Sequence, residues 1–279
     1  MLIPHRSTPA SLALVTSILS SFGSKLVHLT AASHDRITAD TQAVTHAAFL
    51  SMGTAWRANE QFPWEIARYV GGIENVKINV TLRIYSNKWH VYAGLAILNP
   101  SAKEQIRQYA QSVTELYKLM LGGHRTELTE RVKKAGQAVF GTEQKGSERE
   151  LLLRDNLLDR FSLGKVPNER TPNNHLSLLA MVDCWWQMGI VPYDHMICST
   201  PVRVHHLLTP DQDPPPPELI ESFHAQLFRL WLGVTEYLFR KPDLLDEVLR
   251  VAIDDNTFRS DDLEFTFAAR VSKPPSLFA

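Results

Sequence analysis

Cysteine is almost absent from these 279 residues, with only Cys184 and Cys198 present. Two thiols at that spacing exclude a disulfide scaffold and a paired metal knuckle. Both sit among apolar residues, which fits buried, reduced thiols and a cytoplasmic setting. Charge of one sign is lacking as well: 29 basic and 30 acidic residues give a formal net charge of -1. They are mixed along the chain, so no basic field invites nucleic acid or an anionic membrane. No apolar run approaches the ~18 residues of a membrane span. The apolar stretch from Ser11 to Val15 is diluted by Thr16, Ser17, Ser20 and Ser21. It therefore reads as an amphipathic helix, since a secretory leader needs a continuous apolar block. The 13 glycines form no GxGxxG and no phosphate-cradling Walker loop, and HExxH and GxSxG are missing too. Without such a loop, no helix N-terminus is set up to hold a pyrophosphate.

What is present is helix. With 44% hydrophobic and 21% charged residues, the chain is long enough for one large core or two modest ones. Residues 2–4 read as the end of a strand, residues 7–22 as a helix closed by Gly23, and residues 25–30 as a short alternating strand. From Ser33 the texture becomes long helices. Ser33 or Asp35 caps one that runs to Trp56, with Ile37, Val44, Ala47, Ala48 and Met52 on its buried side. Further helices are expected over residues 63–70, 88–98, 103–121, 127–140, 147–161, 176–188, 227–239 and 244–253. Asn99-Pro100 separates two of them as a stop-and-start signal. Residues 79–85 are ambiguous, and residues 263–271 alternate well enough to be a strand. Residues 141–147 read as a polar loop. Residues 202–226, with the run Pro214 to Pro217, cannot be helical and suit an exposed linker.

Two clusters carry chemistry. The first, His34 to His46, places many polar groups on a helix with a clear apolar stripe. Gln42 and His46 are four residues apart and so share a helix face, about 6 Å apart along the axis. That face is either half-exposed and ordinary or a wall offering donors to a polar ligand. The second cluster runs from Arg83 to His90. Arg83 follows the apolar context of Val80 and Leu82 and invites a carboxylate, either a substrate's or a structural partner's. Trp185, Trp186 and Trp231 read as core, the run from Arg131 to Lys134 as a solvated helix face, and His205-His206 as part of the solvated linker.

At these clusters the chain resembles the NADP-dependent fungal prephenate dehydrogenases of tyrosine biosynthesis. The carrying blocks are HDRITADTQAVTHAAFLSMGTAW (34–56), RIYSNKWHVYAGLAILN (83–99), LSLLAMVDCWWQMGIVPYDHMICSTP (176–201) and FRLWLGVTEYLF (228–239). The resemblance implies an N-terminal Rossmann domain followed by an all-helical domain whose helices intertwine into a dimer. It implies oxidative decarboxylation of prephenate to 4-hydroxyphenylpyruvate, with hydride passing to NADP. His46 matches the second histidine of the bacterial relatives' SHLPH motif. Gln42 stands at that motif's serine, and Ala43 replaces its first histidine, so the pocket is only partly comparable. Arg83 matches an arginine resembling a clamp for a prephenate carboxylate, and Trp89 a tryptophan near the pocket wall.

The expected fold is therefore mainly α: residues 33–279 as the helical substrate and dimerisation domain, after residues 1–32 as an α/β remnant of the nucleotide-binding domain. Residues 202–226 are read as an insert of the kind a retained intron leaves. The family's catalytic histidine belongs to a Gly-His-Pro segment that does not occur here, so no catalytic residue is assigned and the chain alone is expected to be inactive. The expected partners are prephenate, tyrosine as an inhibitor and a second copy of the chain, with no nucleic acid, membrane or metal. The alternative is an inactive dimerisation or ligand-binding protein derived from the same family.

Overall fold

The computed structural model of the chain describes residues 1–23, 26–65, 72–86, 88, 98–141, 173–194 and 227–271. Among these residues ten α-helices carry the fold, and β pairing is limited to one isolated parallel bridge between Leu2 and His28. The strand expected over residues 25–30 reduces to that bridge. Leu2 N donates to Val27 O at 2.8 Å and Leu29 N to Leu2 O at 3.0 Å. Two bonds without further strands do not make an independent sheet. Helix α1 (Pro9–Ser20) starts where its capping residues put it: the Thr8 hydroxyl accepts from Ser11 N, proline opens the first turn, and Gly23 follows at φ 66°. None of its residues is buried, and Leu14, Ile18 and Phe22 are exposed.

Helix α2 (Ala31–Thr38), a π-helical turn (Ala39–Ala43) and helix α3 (Val44–Ala58) follow without a break. The cap is Thr30, earlier than the expected Ser33 or Asp35, because its hydroxyl accepts from Ser33 N at 3.0 Å. A 3-10 turn (Pro63–Glu65) stands at the front of the helix expected over 63–70. Helix α4 (Gly72–Ser86) settles the ambiguous stretch 79–85 as helical. Helix α5 (Pro100–Leu121) is capped by Asn99, whose Oδ1 accepts from Ser101 N at 3.1 Å. Helices α6 (Arg125–Phe140), α7 (Leu176–Gln187), α8 (Leu227–Arg240), α9 (Pro242–Asp254) and α10 (Arg259–Val271) complete the description.

The last of these is a correction. The alternation Leu263, Phe265, Phe267, Ala269 predicts a strand, but Asp262, Phe265, Thr266 and Ala269 are buried at helical spacing and pack on α3 and α5. Leu263, Phe267 and Val271 are left outside on the opposite face. The helices expected over 147–161 and most of 88–98 lie outside the described residues. So do the rest of the 63–70 helix, Trp89, residues 142–147, Cys198 and the whole 202–226 segment with His205-His206.

Helix α7 is the axis of the core. Every residue from Leu176 to Trp185 is buried, and α5, α6 and α3 surround it. Phe49 of α3 meets Trp231 of α8 edge-on at 4.6 Å, and the Trp231 indole N–H points at Met181 Sδ, 2.7 Å away. Trp185 and Trp231 thus sit in the core, as expected, each contributing on the order of 3 kcal/mol or more if truncated to alanine. One charge lies in this axis. Asp183 is fully buried and accepts from Arg131 Nε and Nη2 at 2.7 and 2.9 Å, while Glu115 closes on the same guanidinium at 2.6 Å. Arg131 is therefore a buried anchor and not part of a solvated face. Lys133, paired with Asp246 at 2.8 Å, is half-exposed.

Leu116, Leu178 and Leu179 are fully buried within one chain, whereas Leu50, Leu119 and Leu230 are only partly covered. Half of the apolar set expected to need a second subunit is thus satisfied internally.

Candidate functional site

The site predicted from the sequence falls on the α2–α3 rod and on α4. Thr30 starts the rod, and Asn99 Nδ2 donates to Asp35 O at 2.7 Å, tying its first turn to the start of α5. One turn later the helix widens into the π-turn that contains Asp40 and Gln42. π-turns arise where an extra residue is accommodated, and they recur at functional sites. Asp40 is buried. Its carboxylate accepts from Gln105 Nε2 of α5 and lies 4.0 Å from Arg36 Nε, one turn back. Gln42 is half-buried. The simple i, i+4 expectation for Gln42 and His46 is changed here, because a π-turn alters the angle between residues that span it.

His46 opens the first turn of α3. Its ring keeps some surface, but Nδ1 is enclosed. Burial pushes its pKa down from 6.5 to about 4, since an imidazolium away from water loses its hydration. At neutral pH His46 is uncharged and presents one donor and one acceptor.

Helices α3 and α4 pack against each other. The Tyr85 hydroxyl donates to Leu50 O at 2.8 Å, and its ring lies where a Cβ on Gly53 would stand, 2.4 Å away. The Thr81 hydroxyl faces Met52 Sδ at 3.9 Å. Lower down, Asn59 after α3 donates to Asp261 of α10 at 2.8 Å, and Lys77 of α4 acts on the neighbouring Asp262. The two helices therefore run antiparallel. The C-terminal turns of α4, including half-buried Arg83, lie beside the half of α3 that begins at His46. Arg83 is two positions from Tyr85, about 200° round the helix, so it leaves α4 on the flank away from Tyr85; its Nε is enclosed. His46, Gln42 and Arg83 share one hairpin and its entry turn, and Trp89 lies outside the described residues.

A second polar group escaped the sequence reading. Lys77 Nζ donates to Glu74 Oε1 at 2.6 Å, and His175 Nδ1 lies 3.1 Å from the same oxygen. His175 holds a left-handed backbone at φ 49°, and its neighbour Asn174 donates to Asp262 Oδ2 at 2.7 Å. Although burial opposes ionisation, Lys77 and His175 together pull the Glu74 carboxyl down to about 2. Asp262 goes the other way, to about 7, because burial outweighs Asn174, Arg259 and Lys77. Only the i, i+3 spacing of Glu74 and Lys77 was visible beforehand; His175 and Asp262 come from distant parts of the chain.

The comparisons with known proteins bear on this arrangement. A family profile described as a 6-phosphogluconate dehydrogenase C-terminal domain matches residues 43–208 and 217–273. The chain belongs to this family. The match takes in α3, α4 and the remaining helices, and both His46 and Arg83. A probable prephenate dehydrogenase [NADP(+)] of Schizosaccharomyces pombe is 51% identical over 97% of this chain and 57% of its own length. The prephenate dehydrogenase [NADP(+)] of Saccharomyces cerevisiae is 51% identical over 97% of this chain and 55% of its own length. A probable arogenate/prephenate dehydrogenase of Methanocaldococcus jannaschii is 26% identical over 47% of this chain and 29% of its own length. The chain thus spans a little over half the length of the two fungal relatives. No solved structure matches. Among the described residues no helix is long and apolar enough to cross a membrane.

The described residues do not build a dinucleotide cradle. Near the N-terminus the one helix start is α1, where Thr8 and Pro9 occupy the cap. No glycine-rich turn precedes it to admit a pyrophosphate.

Proposed function

We propose that this chain supplies the prephenate-binding helical part of an NADP-dependent prephenate dehydrogenase, the enzyme that decarboxylates prephenate oxidatively to 4-hydroxyphenylpyruvate. The observation that carries this reading is the neutral, enclosed His46 on α3 beside the antiparallel helix of Arg83, within a chain 51% identical to two relatives bearing that name. Prephenate has two carboxylates and a ring hydroxyl. In this reading Arg83 takes a carboxylate with its planar fork. His46 and Gln42 contribute hydrogen bonds, with Trp89 at the wall. Hydride acceptance belongs to NADP, held by residues other than those described here, and no catalytic residue is assigned within this chain. Residues 1–32 belong in this proposal to the nucleotide-binding part, residues 33–279 to the helical part and 202–226 to an insert. A homodimer, inhibition by tyrosine and a cytoplasmic location complete it.

Titration calorimetry of the full chain with prephenate tests the proposal. Wild type should bind, and Arg83→Met should lose about 1.5–3 kcal/mol, roughly 10- to 150-fold, as a charge-assisted hydrogen bond does. Equal affinity in the two proteins, or no binding to wild type at millimolar prephenate, refutes the assignment.

A further inference from the structure

We propose that Asp40 is a positioning residue: held between Gln105 and Arg36, it fixes the π-turn that sets how Gln42 and His46 are presented to a ligand. The ligand's identity rests on the prephenate reading above, whereas the geometry does not.

Asp40 is the charged group inside the π-turn, and it is buried. A carboxylate in that position costs several kcal/mol unless hydrogen-bonded and neutralised. The groups that face it come from two elements. From α2, Arg36 brings a guanidinium to 4.0 Å from Oδ2, its own side chain largely in water. From α5, Gln105 donates to Oδ1. Gln105 is buried in turn, and its backbone carbonyl accepts from the Cys184 thiol of α7 at 3.7 Å. The donor that holds Asp40 is thus fixed to the core axis.

The consequence is angular. One inserted residue rotates everything before a π-turn by about 100° relative to everything after it. Before the turn, α2 buries none of its residues; after it, α3 buries residues on almost every side. On α3 the flank formed by His46, Leu50, Gly53 and Arg57 is the least buried, so a small rotation decides whether His46 is enclosed or open. If the pin at Asp40 is lost, the turn relaxes to ordinary α-helix, and the residues around it rotate out of register. The His46 ring then gains water.

The test reads the enclosure of His46 directly and without ligand. With the imidazole carbons labelled and His46 assigned by comparison with His46→Gln, NMR should find the wild-type ring neutral down to pH 5, in line with a value of about 4. In Asp40→Leu the ring should begin to protonate between pH 7 and pH 5, moving toward the ordinary 6.5. Asp40→Asn keeps an oxygen that can accept from Gln105 and should restore the wild-type profile. A generic loss of stability would not be rescued in this way. Should Asp40→Leu not fold, Gln105→Met removes the donor while preserving volume, and Asp40 can take up a proton in place of unfolding. The same shift of His46 is expected there. A folded Asp40→Leu or Gln105→Met protein whose His46 stays neutral to pH 5 overturns the proposal. Failure of prephenate to bind wild type would overturn the functional reading alone and leave this result standing.

Discussion

Replacing Lys77 by methionine tests how the three helix segments that meet at Glu74 are held together. Lys77 and Glu74 are 2.6 Å apart, with side chains only 7% and 14% exposed, and His175 stands 3.1 Å from the same carboxylate oxygen. In the wild type, Glu74 is pulled from 4.5 to about 2. A depressed folded value means that its contribution is complete above pH 4.5 and is lost as pH falls through about 2. The shift corresponds to about 3 kcal/mol. Methionine keeps the packing of the lysine stem but removes the cation. Breaking a buried pair from one side costs about 3–5 kcal/mol, and the sign of the pH dependence also reverses. Without Lys77, burial raises Glu74, and the proton is taken up either by that carboxylate or by His175 beside it. Both routes give a folded value above the unfolded one, so stability is present at low pH and lost as pH rises. Urea denaturation of wild type and Lys77→Met at pH 5, 6 and 7 should therefore show a deficit that widens with pH, by up to about 1.4 kcal/mol per unit. A deficit below about 1 kcal/mol, or one that is constant over this range, refutes the reasoning.

Asp262→Asn should act in the opposite sense. With Asp262 held at about 7, its ionisation opposes folding above that pH. Asparagine can still accept from Asn174, so its advantage over wild type should grow by roughly 2–3 kcal/mol between pH 5 and pH 8.5 in the same assay. Gly53→Ala places a Cβ 2.4 Å from the half-exposed Tyr85 ring. The ring should swing outward and forfeit its bond to Leu50 O, for a loss of about 1 kcal/mol or more by thermal denaturation. In a Tyr85→Ala background the same change should cost nothing, and an equal cost in both backgrounds would refute the contact. Prephenate affinity should stay flat from pH 8 to pH 5, because His46 does not ionise until about 4; a break near 6.5 would show the imidazole to be open to water.

Most helices were legible because apolar periodicity and caps coincide in them. Asn99-Pro100 announces α5, and Leu176 to Trp185 reads as a core run. The misreadings have physical causes. Residues 263–271 satisfy both a period of two and a helical stripe, and only packing on α3 and α5 decides between them. The bridge at His28 looked like a strand because local alternation says nothing about whether partner strands exist. Of the site, His46, Gln42 and Arg83 were named from the sequence, and the hairpin relation of α3 and α4 could not be. The π-turn was invisible, since no spacing rule marks an extra residue. Arg131 and Lys133 look alike in the sequence, yet only Arg131 reaches a buried carboxylate, Asp183, 52 residues away.

That last pair shows what charges do inside an otherwise apolar bundle. Helix α7 is buried on all sides from Leu176 to Trp185, so hydrophobicity alone gives it no preferred rotation. Apolar replacements of a buried ion pair are often as stable as the pair itself, so net stabilisation is a weak reason for Asp183. Its carboxylate, however, is neutralised in only one orientation of the helix, the one that meets Arg131 and Glu115. Helix α3 faces the same problem, with apolar contacts on almost every side, and Asp40 against Gln105 and Arg36 answers it in the same way. A register error in either helix would bury an unpaired charge and cost several kcal/mol. Rotation is thus specified by the charged residue of each helix, and on α3 the residue whose rotation is specified is His46.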